Sequence, residues 1–172
     1  MVLDVLKFPH PLLAKKAATV TRFDADLAGL AADMLETMYE EGGVGLAAIQ
    51  VGQLKRLIVV DVRAGEGDED EARRTPRTYV NPELLSAEGE IVSEEGCLSV
   101  VDFTAEVRRA ARVRMAYQDL QGRRHEETLD DLAAICVQHE IDHLDGKLFI
   151  DRLSPLKRQM VKKKLAKLAC SA

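Results

Sequence analysis

Residues 136–146 read CVQHEIDHLDG, with two histidines four apart and a glutamate directly after the first. In an α-helix, positions i and i+4 lie one turn apart on one face. His139 and His143 can therefore aim ring nitrogens at a single point. Glu140 stands about 100° round the helix from His139, close enough to reach a water at that point without binding an ion itself. That division of labour is the physical content of the H-E-x-x-H pattern. With 4 histidines in 172 residues, the pattern arises in roughly one shuffled chain in a hundred. The competing reading is an ordinary amphipathic helix with two packed or solvated histidines.

A catalytic metal site of this kind takes three protein ligands and leaves a fourth position open. Cys136 shares the helix face, but it lies seven positions from His143, about 10.5 Å along the axis. Ligand bonds are only about 2.0–2.3 Å long, so Cys136 reads as a small buried residue beside the site. Cys170 falls in a terminus prone to fraying. His10, His125 and several carboxylates stay open on spacing alone. Cys97 has the best surroundings, in EEGCLSV (94–100), where Gly96 permits close backbone approach. A thiolate there would be a soft ligand for Fe(II) or Zn(II). The alternative for Cys97 is a buried structural thiol.

Working outward, Asp130 or Asp131 opens the histidine helix, which runs to about Leu144 and stops at Gly146. Upstream, Leu27, Leu30, Ala31, Met34, Leu35 and Met38 repeat at helical spacing and predict a core helix over 24–41. LIVVDV (57–62) reads as a buried strand. Residues 64–77 read as a mobile charged loop. YVNP, GEIVSEEG, ARVRMAYQ and GRRHEETL read as short strands, and DLQG (119–122) predicts a turn pairing 112–118 with 123–129. No helices intervene between these strands, which favours antiparallel pairing. Ser154-Pro155 opens a last helix with Leu156, Met160, Val161, Leu165 and Leu168 on one face. The expected fold class is α+β, in one domain over 1–172.

Bulk properties limit the function classes. The chain is 47% hydrophobic and 31% charged, as for a soluble globular protein. No apolar run approaches the ~18 residues of a membrane helix, and MVLDVLKFPHP does not read as a signal peptide. Three cysteines predict free thiols and a cytoplasmic location. The net charge of −5 divides unevenly. From Arg152 onward there are seven basic residues and no acidic one. Such a tail either faces a polyanion or complements the acidic body.

Three stretches, GVGLAAIQ (43–50), EEGCLS (94–99) and QHEIDH (138–143), closely resemble the signature motifs of the peptide deformylases, in the same order. GKLFIDRLSPLK (146–157) resembles the bacterial form, and the resemblance covers nearly the whole chain. It implies antiparallel sheets around a central metal-bearing helix, with N-terminal and C-terminal helices. It implies one divalent metal held by Cys97, His139 and His143, physiologically Fe(II), with Zn(II), Ni(II) or Co(II) able to replace it in a preparation. The implied reaction removes the formyl group from the N-terminal formyl-methionine of new proteins. Hydroxide supplied by the metal would attack the formyl carbonyl, with Glu140 as general base and then acid. The Gln50 amide and the Leu98 N–H would stabilise the oxyanion. Without its motif, Gln50 reads as a solvent-facing helix-start residue. Val44, Gly45, Ile135 and Cys136, with Leu98, would line the methionine pocket. Asp142 would pair with Arg109 and stiffen the helix.

The chain departs from the family pattern downstream of EEGCLS. Val101 stands where proline is common, Arg108 replaces the proline of a Val-Pro-Arg stretch, and Thr104 replaces a frequent basic residue. The path of 100–108 and contacts to the peptide end of the substrate are therefore open. Two other functions share the helix motif: a zinc peptidase, and a non-enzymatic ribosome-binding protein with a structural metal. The peptidase lacks a ligand downstream of His143, and structural zinc needs four protein ligands. A deformylase must meet nascent chains, so the basic 152–169 helix, within the 152–172 tail, is expected on ribosomal RNA phosphates, and the chain is expected to be a monomer.

Overall fold

The LIVV run forms a strand buried along its whole length because both its faces are covered. In the computed structural model, which describes residues 1–66 and 73–170, Leu57 and Val59 pack with helix α1 (Ala25–Glu40). Ile58 and Val60 pack with helix α2 (Asp131–Leu144). The two-residue period of a strand assigns alternate side chains to the two helices. This α+β architecture continues through strands β1 (Gly45–Ala47), β2 (Leu57–Val60), β3 (Arg77–Glu88), β4 (Ile91–Cys97), β5 (Val100–Arg109), β6 (Arg112–Gln118) and β7 (Arg124–Asp130). A five-stranded antiparallel sheet has the order β1-β2-β3-β6-β7, and β4 and β5 form a separate two-stranded sheet.

The predicted helix over 24–41 is α1. Asp24 caps it by accepting the Leu27 N–H at 3.0 Å, and Leu27, Ala31, Met34 and Met38 are buried. The leucine and each methionine contribute about 1.5–3 kcal/mol of burial energy. The predicted hairpin is present as β6 and β7, one residue later in the second strand. Arg112 and Arg114 face out while Val113 and Met115 are fully buried. The YVNP strand runs longer than its alternation indicates, because Pro82 sits in an irregularity between Val80 and Glu83. A bulge is where a strand tolerates proline.

Residues 67–72, the centre of the predicted charged loop, lie outside the described residues; Val62–Glu66 before them is a 3₁₀ segment. Residues 100–109, left open above, form β5 and pair with β4. The predicted apolar face of the last helix, α3 (Pro155–Cys170), needs correction. Leu165 is buried and Val161 half-buried, but Leu156, Met160 and Leu168 are 70%, 63% and 53% exposed. At about 100° per residue, Leu156 and Met160 fall on the side opposite Leu165.

Two backbone devices position the site. The N-terminal segment crosses between two motifs, with the Leu6 N–H donating to the Gln50 carbonyl (2.7 Å) and the Phe8 N–H to the Ser99 carbonyl (2.8 Å). Gly146 ends α2 with φ +75°, and a Cβ there would lie 2.6 Å from the Ala14 carbonyl oxygen. Backbone cannot yield as a flexible side chain can. Gly146→Ala should therefore lower the unfolding free energy by about 2 kcal/mol or more, measured by urea denaturation.

Candidate metal centre

Helix α2 lies between the sheets, and nearly every side chain from Ala134 to Leu144 is buried. One helical turn brings the Nε2 atoms of His139 and His143 within 3.3 Å of each other. The end of β4 brings Cys97 Sγ to 3.3 Å from His143 Nε2. All three donor atoms lie within 4.8 Å of one another. Cys97 Sγ also accepts from the Ser99 N–H (3.4 Å) and from Gln50 Nε2 (3.6 Å).

Without an ion, the two buried rings hold protons differently. Burial, reinforced by the His139 and Arg109 charges, holds His143 well below the usual imidazole range and so neutral. Burial also works to lower His139, but hydrogen bonds to Cys97 and Glu95 raise it to about 10. The meeting point of the donors thus favours positive charge. One soft sulfur and two imidazoles suit a single divalent ion with an open fourth position.

The outer nitrogens of the two rings are treated differently. His139 Nδ1 lies 2.8 Å from Glu95 Oε1, a contact that holds a proton on Nδ1 and leaves Nε2 as the nitrogen that an ion would bind in place of its proton. His143 Nδ1 is buried with no partner among the described residues. Glu95 accepts from Arg109 Nε (2.6 Å) and Nη2 (2.9 Å). Burial raises the Glu95 pKa, but the hydrogen bonds from His139 and Arg109 outweigh it and hold the carboxyl below its ordinary range. Arg109 Nη1 donates to Asp142 Oδ2 at 2.9 Å, the pair expected from sequence. Asp142 also takes both Arg152 Nη2 (2.7 Å) and Nε (3.0 Å).

Glu140 is buried beside the donors, its Oε2 without a partner among the described residues. Burial, opposed by the His139 and Arg109 charges, raises its pKa to about 7. Gly45 makes room for it, since a Cβ there would lie 2.9 Å from Glu140 Oε1. Gln50 is 1% exposed, which overturns the solvent-facing alternative. Its Oε1 accepts the Ala47 N–H (2.9 Å), turning the NH₂ group toward Ser99 Oγ (3.1 Å) and Cys97. A cavity of about 410 Å³ opens over these groups, lined by Val44, Gly45, Gln50, Cys97, Leu98, Ile135, Cys136, His139 and Glu140 among others.

The remaining candidates fall elsewhere. His10 accepts the Leu12 N–H at 3.2 Å, and His125 pairs with Asp119 at 2.8 Å on the exposed hairpin. Cys136 stands outside the donor cluster, and burial, with the Glu140 charge, pushes its thiol up to about 12. Cys170 is exposed at the end of α3. Thr104 Oγ1 donates to Glu94 Oε1 (2.6 Å) at the cavity rim, and Val101 is 50% exposed. Sequence reasoning missed Glu95, Ser99, Arg152 and Lys7, whose Nζ donates to the Leu98 carbonyl at 2.7 Å. Glu95 had one available signal: its place two residues before Cys97.

Residues 2–159 match the polypeptide deformylase family model. A peptide deformylase of Alkalilimnicola ehrlichii is 48% identical over 97% of this chain and 90% of its own. One from Zymomonas mobilis is 51% identical over 96% and 94%. A crystal structure of a peptide deformylase from Legionella pneumophila superposes with a TM-score of 0.87 at 44% identity, covering 98% of this chain and 96% of that one.

The Glu95 contact yields a direct test. Glu95→Gln keeps the shape but removes the charge facing His139 and Arg109, and should weaken zinc binding by about 10- to 100-fold, measured by competition with a chromophoric chelator.

Proposed function

This chain belongs to the peptide deformylase family, and from that premise we propose how its pocket carries out the family's reaction. That reaction is the metal-dependent removal of the N-formyl group from newly made peptides. The observation that carries the reading is the buried, unpartnered Glu140 Oε2 beside three converging ligand atoms. A structural metal would need a fourth protein ligand, and among the described residues the cluster offers three.

Cys97, His139 and His143 hold one divalent ion, Fe(II) in the cell, with Zn(II), Ni(II) or Co(II) able to substitute. When bound, the ion supplies Lewis acidity that lowers the pKa of water toward about 7. Glu140 takes the proton of the attacking water on its carboxylate. It then delivers that proton to the leaving amine, so that formate and a free N-terminus result. A carboxyl raised to about 7 by burial can both accept and release a proton at neutral pH. The Gln50 NH₂ and the Leu98 N–H donate to the oxygen that gains negative charge, and the Gln50 amide is already oriented by Ala47. Val44, Gly45, Ile135 and Cys136, with Leu98, form the mostly apolar wall that accepts the methionine side chain.

The same reading covers the rest of the molecule. The chain works as a single catalytic domain, monomeric and cytoplasmic, on nascent formyl-methionyl chains. Among the described residues no helix is long and apolar enough to cross a membrane. Helix α3 carries Lys157, Arg158, Lys162, Lys163, Lys164 and Lys167 with no acidic side chain, and these cations contact ribosomal RNA phosphates.

Two measurements test these roles. Glu140→Gln should keep its metal yet lose about 10²- to 10⁴-fold in kcat on a formyl-methionyl peptide. Gln50→Ala should lose about 10²- to 10³-fold. Retained activity in Glu140→Gln would remove the proton carrier from the mechanism. For α3, co-sedimentation with ribosomes should weaken steeply with salt. Joint replacement of Lys163, Lys164 and Lys167 by Ala should flatten that slope by about 0.7–0.9 per lost phosphate contact. An unchanged slope rules out this contact.

A further inference from the structure

Arg152 is a charged side chain near the site to which the catalytic reading gives no role. Arg152 ends the 3₁₀ turn Phe149–Arg152, just before α3. Its guanidinium spans both oxygens of Asp142, with Nη2 to Oδ1 at 2.7 Å and Nε to Oδ2 at 3.0 Å. The Arg152 side chain is 46% exposed, whereas the Asp142 side chain is 9% exposed and the Arg109 side chain 2%. From Arg152 inward, charge alternates in sign along unbroken hydrogen bonds: Arg152, Asp142, Arg109, Glu95. The last of these, Glu95, lies 2.8 Å from His139 Nδ1.

We propose that Arg152 is a positioning residue for the deformylation reaction, acting on His139 through Asp142, Arg109 and Glu95. The inference rests on the reading of His139 as a metal ligand. It follows from how Arg109 is shared. This one guanidinium gives Nε and Nη2 to Glu95 and Nη1 to Asp142. Two buried carboxylates therefore compete for a single positive charge. Arg152 supplies the second charge and two further donors to Asp142, which leaves Arg109 committed to Glu95. Without Arg152, three donors become one at Asp142, and the carboxylate draws harder on Arg109. What Asp142 gains, Glu95 loses. A less neutralised Glu95 is a stronger acceptor for the Nδ1–H of His139, and a ring so polarised donates more charge through Nε2. Buried charge networks transmit such changes because the interior screens them weakly. His143 has no equivalent partner on its outer nitrogen among the described residues, so the influence falls on one ligand of the three.

The test follows the His139 Nδ1–H proton by NMR in zinc-loaded, ¹⁵N-histidine-labelled full-length protein. In the wild type, zinc should shift the His139 ring resonances; if it does not, the ligand reading fails, separately from the relay. In Arg152→Met the Nδ1–H resonance should move downfield. The kcat on a formyl-methionyl peptide should fall about tenfold with KM nearly unchanged. Arg152→Lys, which restores the charge, should return the resonance most of the way. Lys162→Ala is the control, because it breaks the neighbouring 2.7 Å contact to Asp151 without touching the relay, and the resonance should stay in place. A folded Arg152→Met with an unmoved resonance overturns the proposal. So does an equal shift in Lys162→Ala, which would mean general loosening of α3. If Arg152→Met does not fold, Arg152→Gln and Arg152→Lys give the same comparison, and identical resonances in those two overturn it.

Discussion

The Arg109 guanidinium is the interaction on which the site depends. It is 2% exposed and joins Glu95 on β4 to Asp142 on α2. A buried cation is tolerable only when its donors are matched by anions. Those anions lie on the two elements that carry the candidate metal ligands: Glu95 precedes Cys97 by two residues, and Asp142 directly precedes His143. Satisfying Arg109 therefore fixes the small sheet against the helix. That register is what brings Cys97 Sγ to 3.3 Å from His143 Nε2.

The ligand cluster could be read in part before any coordinates. Spacing alone gave the histidine pair and Glu140, because one helical turn is a local relation that sequence encodes directly. Cys97 could not be derived in that way. It reaches the site through the pairing of β4 with β5 and the packing of that sheet on α2; local context ranked it first among the candidates, and the motif resemblance assigned it the ligand role. The Arg109–Asp142 pair was also expected, while Glu95 and Arg152 were missed. Their contacts join different elements of the fold, β4 to β5 and α2 to the 3₁₀ turn before α3, and no periodicity marks which carboxylate will meet which guanidinium.

The fold shows the same division. Helix α1 and the β6–β7 hairpin were legible because their apolar periods match their burial. Strand β5 was not, since its buried positions include Arg109 and its exposed ones Val101, which blurs the apolar alternation, and Asp102 adopts φ +55°. The face assigned to α3 failed because Leu156, Met160 and Leu165 do not share one side of a helix. Conversely, Gln50 looked like a surface residue and is 1% exposed. Its side chain is held inside by Ala47 and Ser99, and the N-terminal segment binds its backbone, a contact between residue 6 and residue 50.

That crossing segment has a consequence for how the molecule comes into being. Leu6 waits for residue 50 and Phe8 for residue 99 before their backbone bonds can close, and the ligand atoms meet only once residue 143 exists. Contacts of such long sequence separation form late, because loop closure must precede the energy that rewards it. The segment that docks across the site is made before the helix that carries the two histidines, which follows more than a hundred residues later. Catalytic competence is thus acquired in one late step of folding, and no shorter run of this chain that omits either end of the crossing can assemble the complete pocket.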